Sequence, residues 1–415
     1  MSRIGLSSVG VAVLCFPGLV AEAGTAVAPP VAPGWPRFLG PAGDGFSPET
    51  GINKSWRSKP PANLWTVPLS DGGYSGPSAA AGRVFIIDHQ GSDDIVRALD
   101  VATGKEAWRF AYPDAQKDDN GFARSTPTFD AGRAQDARVF TFSREGKIHC
   151  LNALTGAKVW AADAVRDLGG QAGQWGYAGS PVVDGDRLVV SPGGSAAVAL
   201  LDKRTGKLLG KGGGGGKAGY ATPVVATILG RKQYVAFTAS GPVGVDAGTL
   251  QSLWSYDWKT KPDVNAATPL VVGNSVFITS GYKHGCAMFD VTASGARARW
   301  ENKEIQSHFS TPVHHGGYVY GTTDPGRIVC LDAKDGSVKW EQKGFGKGGL
   351  CAVDGTLIVL DGASGEAAMI ELSPSGYREL GRAKPLGGQS WTAPVVAEGK
   401  LIVRNKNSLA CLDLR

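Results

Sequence analysis

Short apolar runs alternate with glycine-bearing polar turns along most of the chain. The segments "GRVFIID" (82–88) and "DRLVVSP" (186–192) are rich in β-branched and aromatic residues, which favour strands. The segments "ATGKEAW", "LTGAKVW" and "KDGSVKW" place a glycine where a tight hairpin needs a positive φ. Few stretches have a helical period. The pattern therefore predicts an all-β chain of short antiparallel strands.

A unit of four strands repeats along the chain. The first copy runs from Ser75 to Phe110, and later copies keep the order strand, link, strand, glycine turn, strand, T-G-type turn, strand. A degenerate eighth copy, "GGLCAVDGTLIVLDGASGEAAMIELSPSGYREL", lacks the proline that marks the other copies. The period is about 45 residues, within the range of propeller blades. The marker prolines are Pro77, Pro127, Pro181, Pro223, Pro269, Pro312 and Pro394.

A tryptophan ends the outer strand of most copies, and its size suits a wedge between neighbouring sheets. In the third copy, "KGGGGGK" (211–217) stands where that tryptophan is due. We expect a flexible loop at a weakened blade edge there. The wedge residues are Trp108, Trp160, Trp254, Trp300 and Trp340.

The two ends of the chain complete one blade. The last copy stops at "CLDLR", one strand short, whereas "ANLWTV" (62–67) precedes the first copy as an outer strand without a blade of its own. Pairing these ends would close the ring and leave no open sheet edge. The sequence therefore predicts an eight-bladed β-propeller of four-stranded blades, closed by its N- and C-terminal strands.

Composition narrows the function. Hydrophobic residues make up 42% of the chain, the net charge is +6, and acidic and basic residues are mixed without a basic stripe, which argues against nucleic-acid binding. Three of the six cysteines, Cys150, Cys330 and Cys411, occupy equivalent places in separate repeats. Such residues are poor disulfide partners, so we expect small buried side chains.

The first residues are typical of a secretory leader. Arg3 precedes the apolar run "IGLSSVGVAVLCFPGLV", and "AEA" (21–23) fits a cleavage site at Ala23. A membrane anchor is the alternative, but Pro17 interrupts a run shorter than the ~20 residues that a spanning helix needs. We therefore predict a signal peptide over 1–23, an N-terminal strap over 24–62, a propeller over 63–415, and a periplasmic or secreted protein.

The pattern "A/C-L-D-x-x-T-G-K-x-x-W" following "S/T-x-P-x-x-x-G-R-V-F" resembles the pyrroloquinoline-quinone (PQQ)-like propeller repeat over nearly all of the chain after Trp35. Two branches share this repeat: quinoprotein dehydrogenases, and a non-catalytic propeller that assists outer-membrane-protein assembly. The opening "WPRFLGPAGDGFSPETG", with "GYSGP", "RSTP", "WGYAGSP" and "WTAP", resembles secreted propellers of planctomycete-type bacteria, some of them named as alcohol dehydrogenases. The resemblance implies the fold more strongly than an activity.

A candidate binding funnel follows from the propeller prediction. Residues just before each innermost strand should reach the mouth of the central channel, and there the sequence places flat aromatic faces, one cation and a few hydrogen-bond donors. Leu350 takes this position in the degenerate copy. The alternative is that the tyrosines and tryptophans only plug the channel. The candidate ligand-binding residues are Tyr74, Arg124, Trp175, Tyr177, Tyr220, Asn265, His308 and Trp391.

A quinoprotein dehydrogenase needs more than this ring supplies. The resemblance implies a quinone stacked on a tryptophan, a Ca²⁺ held by carboxylate and amide oxygens, and a carboxylate base. The ring has no Asp or Glu, and Asp71, Asp119, Asp263 and Glu304 stand several residues away, as rim residues. The adjacent-cysteine pair of many such enzymes is absent, as is a haem motif. We therefore predict no catalytic residue, no metal site and no cofactor.

The sequence thus favours a periplasmic or secreted scaffold that binds a protein or peptide partner through its funnel and loops, without turnover and as a monomer. A PQQ- and Ca²⁺-dependent alcohol dehydrogenase is the alternative. A lectin-like, sugar-binding role is a third hypothesis that the aromatic ring permits.

Overall fold

The strands form eight sheets arranged as the blades of a propeller, and the four strands of each blade run antiparallel, as the repeat predicted. The computed structural model describes residues 1–2, 34–70, 72–115, 121–132, 136–261 and 263–415. Residues 3–23 of the predicted leader, residues 24–33 of the predicted strap, Asp71 and Asp119 lie outside the described residues. Within those ranges the regular elements are strands, and no helix is long and apolar enough to cross a membrane.

The blades follow the chain in order, with the innermost strand of each lining the central channel. Blades 1 to 4 contain, from the inside outward, β4 (Ser78–Ala80), β5 (Arg83–Gln90), β6 (Asp93–Asp100) and β7 (Glu106–Pro113); β8 (Thr128–Asp130), β9 (Arg138–Phe142), β10 (Lys147–Asn152) and β11 (Lys158–Asp163); β12 (Val182–Asp184), β13 (Arg187–Val190), β14 (Val198–Asp202) and β15 (Leu208–Gly212); and β16 (Val224–Ile228), β17 (Arg231–Thr238), β18 (Gly241–Asp246) and β19 (Ser252–Ser255). Blades 5 to 8 contain β20 (Leu270–Val272), β21 (Ser275–Ser280), β22 (Gly285–Thr292) and β23 (Gly295–Asn302); β24 (Val313–His315), β25 (Tyr318–Thr323), β26 (Arg327–Asp332) and β27 (Val338–Lys343); β28 (Leu350–Val353), β29 (Thr356–Leu360), β30 (Ala367–Glu371) and β31 (Glu379–Ala383); and β32 (Val395–Ala397), β33 (Lys400–Arg404), β34 (Ser408–Asp413) and β3 (Asn63–Pro68). Two short strands of the strap, β1 (Gly34–Trp35) and β2 (Phe46–Ser47), extend the sheets of blades 1 and 7.

The eighth blade is built from both ends of the chain, which confirms the predicted closure. β3 pairs antiparallel with β34, and Trp65 lies opposite Cys411. Every other strand of this blade comes from the C-terminal end. The pairing gives the outer edge of β34 a backbone partner and joins blade 8 to blade 1 through the following chain.

The T-G turn of one blade receives the outer tryptophan of the blade before it. Gly156 has a φ of 73°, and a Cβ at this position would lie 2.6 Å from Cε3 of Trp108. The Trp108 indole N–H donates to the Ala153 carbonyl in the same turn, at 2.9 Å. The same close approach recurs at Gly104, Gly206 and Gly336 against the tryptophans of their preceding blades, at 2.6–2.8 Å. The turn glycine and the tryptophan therefore form one contact between blades, which explains why both belong to the repeat.

Blade 3 reverses this contact. Gly210 stands four residues after Gly206, the spacing that separates Gly104 from Trp108 and Gly156 from Trp160. In the next blade, Leu250 stands at the turn position that glycine occupies in blades 1 to 3. A Cβ on Gly210 would lie 2.7 Å from Leu250 Cδ1, so the small residue makes room for the large one. The predicted loop is shorter than expected, because Lys211 and Gly212 end β15. Beyond the strand, Gly213 donates to the Leu250 carbonyl at 3.2 Å, and the N–H groups of Gly194 and Gly216 donate to each other's carbonyls at 2.7 and 2.9 Å. The flexibility of this segment stays a prediction.

The cysteines of the described chain are buried and unpaired, as expected for small core side chains. Cys150, Cys330 and Cys411 are fully buried within separate groups of core residues. Burial raises the pKa of the Cys150 and Cys411 thiols to about 12 and that of Cys330 to about 11. These thiols are protonated at neutral pH, so their contribution is packing.

Candidate functional site

A cavity of about 350 Å³ opens at the end of the channel where the chain enters each innermost strand. Most of the predicted funnel residues line it, since they come from the segments just before those strands. The lining therefore draws residues from all eight blades around one space. The predicted residues that line the cavity are Tyr74, Arg124, Trp175, Tyr220, His308 and Trp391.

Two predicted funnel residues lie inside the wall and do not line the cavity. Asn265 is fully buried; its amide donates to the Thr238 and Trp258 carbonyls at 2.9 and 3.1 Å, and Ser280 donates to its side-chain oxygen at 2.8 Å. Its chain neighbours Val264 and Ala266 line the cavity instead. Successive side chains of extended backbone point to opposite sides, so one step along the chain decides which residue faces the space.

Tyr177 is buried for a different reason. It is 2% exposed, and its hydroxyl donates to the Pro192 carbonyl at 2.8 Å. Alternation from Trp175 would turn Tyr177 toward the cavity, but Gly176 between them has a φ of 75° and breaks the alternation. Leu350 likewise packs in the core, and Lys347, three residues earlier, lines the cavity for that blade.

Aromatic rings form a continuous arc along one side of the cavity. Tyr74 stacks on Trp391 with ring centroids 5.1 Å apart, and Phe309 approaches Trp391 at 5.0 Å. His308 continues the arc, 6.0 Å from Phe309 and stacked on Tyr282 at 4.3 Å. The sequence prediction missed Phe309 because it took only His308 from the segment before β24, and it missed Tyr282 because that residue lies in the turn between β21 and β22.

The opposite side joins an aromatic pair to a cation. The rings of Trp175 and Tyr220 lie 6.0 Å apart, and the Trp175 backbone N–H donates to the Tyr220 hydroxyl at 3.3 Å. The Arg124 guanidinium donates to the Trp175 carbonyl. Both bonds go to the backbone of Trp175, so they link the side chains of Arg124 and Tyr220 to the blade between them.

The strap supplies the floor of the cavity. β1 runs antiparallel to β4 and β2 runs parallel to β28, so residues 36–45 turn within the channel between them. The Pro36 carbonyl accepts a bond from the N–H of Phe129 in blade 2 at 2.7 Å, and a Cβ on Gly45 would lie 2.9 Å from Val313 Cγ2 in blade 6. Blades 2 and 6 face each other across an eight-bladed ring, so this turn spans the channel. Its residues Phe38 and Leu39 line the cavity from below.

Hydroxyl groups link the blades just below the mouth. They belong to the residues that directly precede the marker prolines. The Thr126 N–H donates to Ser180 Oγ at 2.9 Å, and the Ser180 N–H donates to Thr222 Oγ1 at 2.9 Å. The series continues around the ring: the Thr222 N–H donates to Thr268 Oγ1 at 3.3 Å, and the Thr268 N–H donates to Thr311 Oγ1 at 3.0 Å. The hydroxyl before the proline thus gives a backbone N–H of the previous blade a partner that no strand provides.

Cationic side chains form part of the described lining of the cavity. Arg124 and Lys347 line the cavity, and Lys347 Nζ lies 5.6 Å from the Trp391 ring centroid. Asp324 approaches both His308 Nε2, at 3.2 Å, and Lys347 Nζ, at 3.8 Å. Burial and the Lys347 charge lower the pKa of His308, against the opposing effect of Asp324, so the imidazole is neutral at pH 7.

Carboxylates stay outside the cavity in the described part of the chain. Its described lining contains no Asp or Glu, and Asp263 pairs with Lys217 at 3.4 Å on the rim. Glu304, the other described rim acid, does not line the cavity either. Across the described ranges, no group of three His, Cys, Asp or Glu side chains is placed to hold a metal ion.

Comparisons with known proteins agree with this architecture. The sequence model of the family described as "Outer membrane protein assembly factor BamB" matches residues 92–342. The BamB protein of Moranella endobia (strain PCIT) is 24% identical over 310 residues, which cover 68% of this chain and 72% of that protein. Among solved structures, BamB from Moraxella catarrhalis has a TM-score of 0.62 at 17% identity, covering 85% of this chain and 99% of that one.

A dehydrogenase shares the fold as well. The quinohemoprotein alcohol dehydrogenase from Comamonas testosteroni has a TM-score of 0.66 at 13% identity, covering 92% of this chain and 80% of that one. Identities this low establish a common propeller and leave the chemistry to the residues of the site.

Proposed function

Since the chain belongs to the family of the outer membrane protein assembly factor BamB, we propose that it is a non-catalytic propeller that binds polypeptide partners during outer-membrane-protein assembly. The observation that carries this proposal is the lining of the central cavity. It combines an aromatic arc, backbone-linked hydroxyls and cations, and its described part has no carboxylate to act as a base. Such a surface suits binding of apolar and polar parts of one ligand, without proton transfer.

The cellular setting belongs to the same proposal. We propose export through the leader predicted over 1–23, with cleavage near Ala23, and action in the periplasm as a monomer. The family is described by a part in outer-membrane-protein assembly, which supports this setting.

The competing hypothesis is a PQQ- and Ca²⁺-dependent alcohol dehydrogenase. The stacked rings of Tyr74 and Trp391 offer flat faces of the kind on which a quinone lies. However, Ca²⁺ takes six to eight oxygen ligands, usually including carboxylates. The described cavity lining offers hydroxyl and carbonyl oxygens beside Arg124 and Lys347, a donor set that does not fit a divalent cation. We therefore assign no reaction step to this site.

One experiment separates the two hypotheses. A fluorophore-labelled, urea-unfolded outer-membrane protein is diluted into the purified mature chain, and binding is followed by anisotropy. We expect saturable binding that Trp391→Ala and Arg124→Gln weaken about tenfold or more, because both remove contacts in the cavity. The control is Arg378→Gln, which changes an exposed cation paired with Glu371 on blade 7, away from the cavity.

The same samples are tested for dye-linked ethanol oxidation with PQQ and Ca²⁺. Turnover that Trp391→Ala abolishes would overturn the proposal in favour of the dehydrogenase. Binding of the unfolded protein that neither cavity variant weakens would also contradict it, since the cavity would then play no part.

A further inference from the structure

We propose that the central cavity takes one aromatic side chain of an extended polypeptide, and that Leu39 of the strap limits the size of that side chain. This inference rests on the proposed function and adds to it which part of a partner enters the cavity and which residue selects it. Three features support it: the order of residue types from mouth to floor, the bonds of the wall hydroxyls, and the backbone angle of Leu39.

The residue types that line the cavity change with depth. Tyr74 and Trp391 stand at the mouth, and the hydroxyl-bearing residues before the marker prolines form the wall. The strap pairs with β4 at Ala79, deeper in the channel, so Phe38 and Leu39 line the deep end. A sugar that reached this depth would place hydroxyl groups against apolar side chains, which is unfavourable. The deep end therefore suits an apolar group.

The wall hydroxyls already have partners in the protein. The Thr126 N–H donates to Ser180 Oγ, and the Ser180 N–H donates to Thr222 Oγ1, both at 2.9 Å. The Thr392 hydroxyl donates to the Tyr74 carbonyl at 3.3 Å. An apolar side chain can lie against these oxygens without breaking their bonds, so it leaves no buried backbone group without a partner. The wall therefore admits an apolar ligand.

Aromatic rings on two sides of the cavity favour an aromatic side chain over an aliphatic one. Tyr74 stacks on Trp391 with ring centroids 5.1 Å apart, and the rings of Trp175 and Tyr220 lie 6.0 Å apart on the other side. Aromatic pairs in offset or edge-to-face geometry add stabilisation beyond the area that they bury. The volume of about 350 Å³ is near the lower limit of ligand sites, roughly 300–1,000 Å³. One large side chain suits such a space.

The backbone of Leu39 identifies the residue that limits the size of the ligand. Leu39 has a φ of 61°, a left-handed conformation that costs free energy in any residue with a Cβ. Its carbonyl accepts the N–H of Gly45 at 2.9 Å, which holds the turn in this conformation. Glycine would adopt the angle more easily, so the backbone does not explain the leucine. Its buried side chain lines the deep end of the cavity, and we assign its role there.

The test uses four unlabelled peptides, acetyl-Ser-Gly-X-Gly-Ser-amide, in which X is Ala, Leu, Phe or Trp. Both ends are blocked and X is internal, so neither a terminal charge nor a label contributes to binding. Isothermal titration calorimetry measures the affinity for the purified mature chain. We expect the Phe peptide to bind about tenfold or more tightly than the Ala peptide, and more tightly than the Leu peptide. Trp391→Ala should remove the preference for Phe over Leu.

Variants of Leu39 test its role in selecting the side chain. Leu39→Ala should raise the affinity for the Trp peptide relative to the Phe peptide about tenfold, because it deepens the cavity. Leu39→Gly should shift this ratio in the same direction and fits the left-handed backbone without cost, so it serves if the alanine variant does not fold. Leu39→Met conserves the volume and should keep the original ratio. Far-ultraviolet circular dichroism confirms that each variant is folded.

The matched control is Leu250→Ala. Leu250 is also a leucine with a φ of 61°, but it lies in a turn of blade 4 and does not line the cavity. The ratio of Trp to Phe affinity should therefore stay unchanged in this variant. If the Leu39 variants leave the ratio unchanged, or if Leu250→Ala shifts it equally, the role of Leu39 is overturned.

The outcomes separate this inference from the proposed function. Equal binding of the Ala and Phe peptides would overturn recognition of an aromatic side chain, and so would failure of every peptide to bind at millimolar concentration. The proposed function stands in that case if the unfolded outer-membrane protein is still bound and Trp391→Ala and Arg124→Gln still weaken its binding. Binding of the Phe peptide without any binding of the unfolded protein would overturn the proposed function instead.

Discussion

Replacing the turn glycine that receives a tryptophan should cost much more than replacing a turn glycine in open space. Gly156→Ala adds a Cβ 2.6 Å from Trp108 Cε3, at a φ of 73°. The left-handed backbone costs alanine about 1–2 kcal/mol. Overpacking against a buried ring adds about 1–3 kcal/mol, because the indole is held by its bond to Ala153 and cannot move aside. We expect a total loss of roughly 2–5 kcal/mol in the free energy of unfolding.

The matched control is Gly185→Ala. Gly185 has a φ of 61°, and a Cβ there would meet no atom within 4 Å, so this variant carries the backbone cost alone, about 1–2 kcal/mol. Urea unfolding followed by tryptophan fluorescence measures both variants, with stability read from the midpoint at unchanged slope. Equal losses in the two variants would refute the reasoning, since the contact with Trp108 would then contribute nothing.

Two further predictions concern the buried polar groups. Thr222→Val removes the hydroxyl that accepts the hydrogen bond from the buried Ser180 N–H, and we expect it to lower the free energy of unfolding in urea by about 1–3 kcal/mol. The control, Thr227→Val, changes an exposed threonine and should have little effect. Equal effects of the two variants would contradict the hydroxyl linkage. Burial lowers the pKa of His149 to about 4, so the folded protein loses stability as the pH falls below 6.5. Burial and the charge of Asp114 raise the pKa of Asp94 to about 7, so the folded protein loses stability as the pH rises from about 4 to 7. The two effects oppose each other. From pH 7 to pH 5, the free energy of unfolding of the Asp94→Asn variant should therefore fall by about 2 kcal/mol more than that of the unaltered protein. Parallel pH profiles of the two proteins would refute this.

The site shows where prediction from sequence ends. Six of the eight candidate residues line the cavity because the marker proline fixes where each innermost strand begins. The side chain of Asn265 faces away from the cavity because its chain neighbours on either side face toward it. The side chain of Tyr177 faces away because Gly176 takes a positive φ. Both errors arise from single backbone angles, which a repeat of about 45 residues does not specify. Whether these residues bind a ligand remains a prediction.

The sequence by itself determined the number of blades, their four strands and the closure of the ring, since these follow from local turn chemistry and from a period counted along the chain. Even the reversed pair of Gly210 and Leu250 can be found in the sequence, four residues after one turn glycine and at the position of the next. Only the tertiary structure decided which residues line the cavity. Its floor comes from Phe38 of the strap, its arc from Phe309 and Tyr282, and one of its cations from Lys347. These residues are far apart in sequence and meet because the ring closes around the strap, which no local pattern records.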